Sequence, residues 1–232
     1  MKAVSVGILV CALFAGATRL SADGTWGLGV NGGFNTYAMS QMNQYLSDND
    51  TGLALPSSGA QLGVAADVKY RFAEHWIAGL EANYLFAKAS NSSVQMGLPI
   101  TASIAANATE YLLDGSFVFP SGLPGLQLSV GLGIGVVVLT GDTFALSIPD
   151  ALFQMNAPMY GSGFDGKIFM GADYYFTHAW SLGLRLGYRD ASLWPAYYTY
   201  NDTRNPFLNT NGGYAAFNYS GFNSQLELTW WI

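Results

Sequence analysis

Cysteine, charge and long apolar runs are all scarce in this sequence, and each scarcity removes a class of protein. Cysteine occurs once, as Cys11, so neither an internal disulfide nor a thiolate metal site supports the fold. Charged residues are 10% of the chain, where a soluble domain carries about 25%. After the N-terminal segment, no stretch approaches the roughly 18 to 20 apolar residues of a transmembrane helix. The nearest, Leu126 to Leu139, interleaves Gln127, Ser129, Gly131, Gly133 and Gly135 with its aliphatics. A formal charge of -6 argues against nucleic acid as a partner.

The chain opens with Met1-Lys2, runs apolar from Ala3 to Ala17, and reaches Ser21-Ala22 before Asp23-Gly24. This pattern predicts a secretory signal peptide over 1–22, with cleavage after Ala22 or, as second choice, Ala17. One mature domain, 23–232, is expected to follow.

Aromatics are abundant at 15%, as are glycines at 28. The aromatics recur: Tyr70, Phe72, Trp76, Gly79, Leu80 and Tyr84 reappear in register as Tyr174, Phe176, Trp180, Gly183, Leu184 and Tyr188. Both copies alternate apolar and polar residues, break briefly at His75 or His178, and resume, which is an antiparallel hairpin. The same period-two pattern predicts eight strands, at about 25–39, 60–72, 76–86, 107–119, 126–140, 163–176, 180–189 and 214–232. Long gaps (40–59, 88–106, 141–162 and 190–213) alternate with short turns, the layout of an outer-membrane barrel. The expected fold is all-β, an eight-stranded antiparallel transmembrane β-barrel with short periplasmic turns and long outer loops. A soluble lipocalin-like barrel would turn its apolar face inward. Here that face carries an aromatic belt (Trp26, Tyr70, Phe72, Trp76, Phe117, Phe119, Tyr174, Phe176, Trp180, Trp230), which suits a lipid boundary.

Alternation then assigns the lumen. Asp67, Lys69, Arg71, Glu81, Glu110, Asp114, Asp165, Lys167, Asp173, Arg185, Arg189 and Glu227 fall on the inward face. Eight strands leave a bore that side chains fill, so these charges are expected to form a salt-bridged plug. Near the outer end the inward positions turn apolar: Tyr37, Leu85, Val137, Leu139, Phe217 and Tyr219. The outer loops are apolar too, with Leu53-Ala54-Leu55-Pro56, Leu98-Pro99-Ile100, Phe144-Ala145-Leu146 and Leu152-Phe153. Two readings stand. These residues line a pocket from which a small hydrophobic solute leaves sideways into the bilayer, or they pack as a cap and extend the strands outward. The last loop, with Trp194, Tyr197, Tyr198, Tyr200 and Phe207, is either a protein-binding surface for a host ligand or packed on itself.

The Tyr-x-Phe-turn-Trp hairpins and the alternation Leu226, Leu228, Trp230, Ile232 resemble the small eight-stranded outer-membrane proteins, the group containing OmpA, OmpX and OmpW, with a leaning towards OmpW. The resemblance implies residence among outer-membrane lipid in a diderm bacterium, and passage of small hydrophobic molecules. It also implies that Leu226, Leu228, Trp230 and Ile232 are an assembly signal read by the barrel-assembly machinery, with Ile232 where a Phe is usual. Lipid-modifying barrels of this fold use a histidine near the outer leaflet. Both histidines here lie in turns at the opposite end, so no enzymatic activity is expected. They also belong to separate hairpins, so no metal or cofactor is expected. The expected function is a passive conduit or binder for small hydrophobic molecules. The alternative is a structural or surface-interaction barrel with a sealed lumen.

Overall fold

The computed structural model describes residues 25–48, 54, 61–95, 98–139, 143–148, 153–208 and 212–232. The expected signal peptide lies outside them. Strand β1 (Thr25–Asn35) leads to a helix, α1 (Ser40–Asp48), and then to β2 (Gln61–Ala73), β3 (Trp76–Leu85), β4 (Lys88–Gln95) and β5 (Leu98–Ala105). Next come β6 (Ala108–Pro120), β7 (Leu126–Leu139), β8 (Thr143–Ile148), β9 (Phe153–Tyr160) and β10 (Ser162–Tyr175). The chain finishes with β11 (Trp180–Leu193), β12 (Tyr197–Tyr200), β13 (Thr203–Pro206), β14 (Phe217–Asn218) and β15 (Gly221–Trp231).

Eight of these strands close into an antiparallel barrel in the order β1-β2-β3-β6-β7-β10-β11-β15, with β15 returning to β1. The seam pairs Gly27 with Trp231 and Asn35 with Asn223. It ends in reciprocal backbone bonds, Trp26 N–H to Ile232 O at 3.2 Å and Ile232 N–H to Trp26 O at 2.7 Å. Closure satisfies every ladder, which hydrocarbon demands because it offers no partner to a free edge.

Burial along the strands is inverted relative to a water-soluble sheet. Phe164, Ile168 and Met170 are 68%, 65% and 61% exposed, while their neighbours Asp165 and Lys167 are 0% and 2%. Such a wall is stable only against lipid, so the chain is a transmembrane β-barrel. From Tyr174 to Phe164 the outward residues of β10 cover about the 9 to 11 residues that a tilted strand needs to cross the hydrocarbon. The turn at 121–125 uses Gly122 (φ 82°) and Gly125 (φ 78°) in a conformation that side chains disfavour.

The outer loops need correction. Much of 88–106, 141–162 and 190–213 is strand: β4, β5, β8, β9, β12 and β13 form a second, six-stranded sheet beyond the barrel. Alternation continues there, as in Ala102 and Ile104, buried at 2% and 1% on either side of an outward Ser103. The first strand stops at Asn35 rather than Met39, because the chain turns into α1. Met42 and Leu46 then fall on one helical face, and both are fully buried together with Met39, which immediately precedes the helix. At the far end, the eighth barrel strand begins at Gly221, not Tyr214, and the seventh runs on to Leu193. A Cβ on Gly221 would collide with the Thr36 carbonyl, so the approach of these two chain segments requires glycine.

Candidate functional site

The barrel interior divides into three levels. In the middle, β2, β3, β10, β11 and β15 each contribute a charge to one connected network. Lys167 Nζ lies 2.8 Å from Glu81 Oε1, and Arg185 reaches Glu81 at 3.5 Å and Glu227 at 3.0 Å. Lys69 pairs with Glu227 and sits 3.7 Å from Asp67. Above them, Arg189 lies 3.4 Å from Glu110 and donates to the Tyr219 carbonyl from Nε at 3.2 Å and Nη2 at 3.1 Å. The Asn83 amide donates to both Glu81 and Glu110, tying the two clusters together. Asp114 and Asp173 also point inward, yet neither forms an ion pair among the described residues. Room for these groups comes from the neighbouring strand: Gly29 faces Asp67, and Gly133 faces Asp114. A Cβ at either glycine would run into the carboxylate.

Arg71 stands apart from the network, at the end of the barrel that holds the short turns. Its Nη2 donates to Gln127 Oε1 at 2.8 Å and to Tyr175 OH at 2.7 Å. Its guanidinium lies 5.2 Å from the Trp231 ring, and Trp231 Nε1 donates to Ser181 Oγ at 3.0 Å. These side chains form a floor. His75, in the nearby turn, is held by backbone: its Nδ1 is 3.0 Å from Val118 O. Among the described residues no group of three or more His, Cys, Asp or Glu is placed to hold a metal ion.

At the opposite end the structure gathers Tyr37, Leu85, Val137, Phe217 and Tyr219, all 0–1% exposed, into a single apolar cluster, with Leu139 packed against it. Helix α1 lies over this cluster and inserts Met42 and Leu46, joined by Met39 from the residue just before it. Tyr37 and Tyr219 meet edge to face at 5.3 Å, and the Tyr219 hydroxyl donates to the Ala106 carbonyl. The Tyr37 hydroxyl has no hydrogen-bond partner among the described residues. Burial pushes its pKa up to about 12, against a lowering by Arg189 and with a further rise from Glu110. Arg189 lies 5.9 Å from the Tyr37 ring and donates to the Tyr219 carbonyl, so the apolar ceiling rests directly on the Arg189–Glu110 pair.

Several contributors escape a reading that looks for charge. Phe169, buried at 7%, places its ring 5.5 Å from the Lys167 ammonium and 5.2 Å from the Arg185 guanidinium. Trp231 and Tyr175 in the floor were detectable from parity, since each neighbours an outward aromatic. Of the last loop, Phe207 is fully buried in the cap, Tyr197 and Tyr198 are half-buried, and Trp194 and Tyr200 remain exposed. Phe144 also packs against the cap. Leu53, Leu55, Pro56 and Leu152, and the side chains of Leu98, Pro99, Ile100, Leu146 and Phe153, lie outside the described residues. The outward residues Leu226, Leu228, Trp230 and Ile232 are 38–64% exposed on the closing strand.

No protein-family model and no curated protein matches the chain. Among solved structures it is similar to the outer membrane protein OprG from Pseudomonas aeruginosa, at 14% identity and a TM-score of 0.48, covering 91% of this chain and 96% of that one. It is also similar to Neisserial surface protein A, at 7% identity, TM-score 0.46 and coverage of 90% and 97%. A third is the outer membrane protein AlkL in DMPC lipid bilayers, at 11% identity, TM-score 0.47 and coverage of 91% and 93%. The barrel assignment rests on strand register and the exposed apolar wall rather than on these likenesses.

Proposed function

We propose that this outer-membrane barrel binds small hydrophobic molecules at its outer end and releases them sideways, while its lumen stays closed to water-soluble solutes. One observation carries the reading: an apolar chamber wall, filled by the helix α1, sits directly upon a cross-linked charged plug. The plug and the Arg71 floor oppose passage along the axis, because a polar solute would have to break buried ion pairs. A hydrophobic solute could instead replace the side chains of α1 and its leading residue, where Met39 and Met42 are adaptable in packing. Assembly by the barrel machinery, signalled through Leu226, Leu228, Trp230 and Ile232, belongs to the same proposal.

The test is uptake of an apolar solute into liposomes that contain folded protein. Uptake above that of empty liposomes, lost in Leu139→Asp or Phe217→Asp variants that still show heat-modifiable migration, supports the proposal. Uptake equal to empty liposomes overturns it. A second reading, a sealed surface-interaction barrel, is favoured by the complete burial of the cap residues together with the exposed Trp194 and Tyr200. Under that reading, replacing Trp194 and Tyr200 abolishes binding to host matrix or cells while solute uptake stays at background.

A further inference from the structure

The outer rim carries a recess of about 470 Å³ between the barrel and the last loop, lined by Tyr160, Ser162, Trp194, Tyr197 and Arg204 among others. Its wall is unlike the rest of the exterior. Arg204 lies 3.9 Å over the Tyr197 ring, which fixes the guanidinium in place, and it forms no ion pair among the described residues. Trp194 and Tyr160 are 59% and 48% exposed, and Trp194 is braced edge-on by Tyr214 at 5.8 Å. Every other cation of β1 to β15 apart from Lys88 is inside the barrel, so Arg204 is a rare exposed positive charge on an acidic chain.

Depth decides what this recess meets. Phe164 is the last outward apolar residue of β10; Ser162 follows and Tyr160 lies one step beyond, on the same outward face. The hydrocarbon ends near Phe164, so the recess opens at the level of lipid headgroups. A fixed guanidinium pairs well with phosphate oxygens, and exposed aromatic faces accept the flat, apolar side of a sugar ring. We infer that Arg204, Trp194 and Tyr160 form a binding site for the phosphorylated sugar headgroup of an outer-leaflet glycolipid. The recess borders the cap through Leu139, but Arg204, Trp194 and Tyr160 lie outside the cap cluster, so the site would function whether or not the cap admits a solute.

Trp194 makes the site observable, because the remaining tryptophans, Trp26, Trp76, Trp180, Trp230 and Trp231, all belong to the opposite end. Folded protein in neutral detergent micelles is titrated with a bis-phosphorylated glucosamine disaccharide lipid, with phosphatidylglycerol, and with inorganic phosphate. Tryptophan emission and retention of lipid in native mass spectrometry are followed. The expected result is a saturable emission change with the glycolipid, absent in Trp194→Phe, and affinity lowered about fivefold in Arg204→Gln. Weaker binding of phosphatidylglycerol and none of phosphate support a headgroup site. Unchanged affinity in Arg204→Gln would overturn the site and leave the patch to a protein. Equal binding of phosphatidylglycerol would overturn its assignment to a sugar.

Discussion

Arg185 and Glu81 stand on diametrically opposite strands of the barrel and meet across the lumen at 3.5 Å. The same carboxylate holds Lys167, so one acidic residue from β3 links two basic residues from the far wall. A bore that its own side chains can span leaves no axial passage.

Removing that shared anion should cost more than removing a pair. Glu81→Gln leaves Lys167 and Arg185 short of a counterion at a buried site, a loss of about 3–5 kcal/mol. Urea unfolding of the protein in vesicles, followed by tryptophan emission, measures it. Glu81→Leu combined with Lys167→Met should recover part of the loss. A double variant as unstable as the sum of its singles contradicts the network.

Two glycines on β7 should respond differently to one methyl group. At Gly133 the obstacle is the tip of the Asp114 side chain, which can rotate; at Gly135 it is the Tyr111 backbone carbonyl. Gly135→Ala should lower the unfolding free energy strongly, by about 2 kcal/mol or more, and Gly133→Ala by less. Equal effects would mean that the strands give way at both positions.

Alkaline pH should loosen the ceiling through Tyr37. Its pKa is raised from the usual 10 to about 12, so the neutral phenol is the form that the fold favours. Its contribution is whole below about pH 10 and is lost as pH rises towards 12, by roughly 2–3 kcal/mol in total. Stability profiles of the parent and Tyr37→Phe should therefore separate only above pH 10, with the variant falling less. Parallel profiles would show that Tyr37 ionises as freely as in the unfolded chain.

Trimming the helix should distinguish a door from a lid that never opens. Leu46→Ala removes a fully buried anchor of α1, a loss of about 2–5 kcal/mol of packing. With the cap as the way in, solute uptake by liposomes rises. Unchanged uptake, alongside faster proteolysis of α1, points to a purely structural cap.

Alternation made the barrel legible, because a period of two assigns each residue to one of two faces and lipid makes the faces opposite in chemistry. Lys69, Glu81, Arg185 and Glu227 could be placed inside on parity alone. Their pairing could not, since Glu81 chooses Arg185 from across the ring, and that choice depends on curvature and stagger rather than on local pattern. The helix α1 was hidden for a different reason. Ser40 to Asp48 is short and mostly polar, and Met39, Met42 and Leu46 become a face only when a ceiling exists for them to cover. For Phe207 the sequence leaves surface and interior equally open, and only the folding back of the loop buries it.

The seam between β1 and β15 also imposes an order in time. Gly27 is paired with Trp231, so no barrel exists until nearly the whole domain has left the ribosome and crossed the inner membrane. Until then the lipid-facing residues travel through water without a partner, and slow, non-local closure prolongs that exposure. Closure at the seam is therefore the last step of folding, reached only where lipid takes the place of water against that outer face.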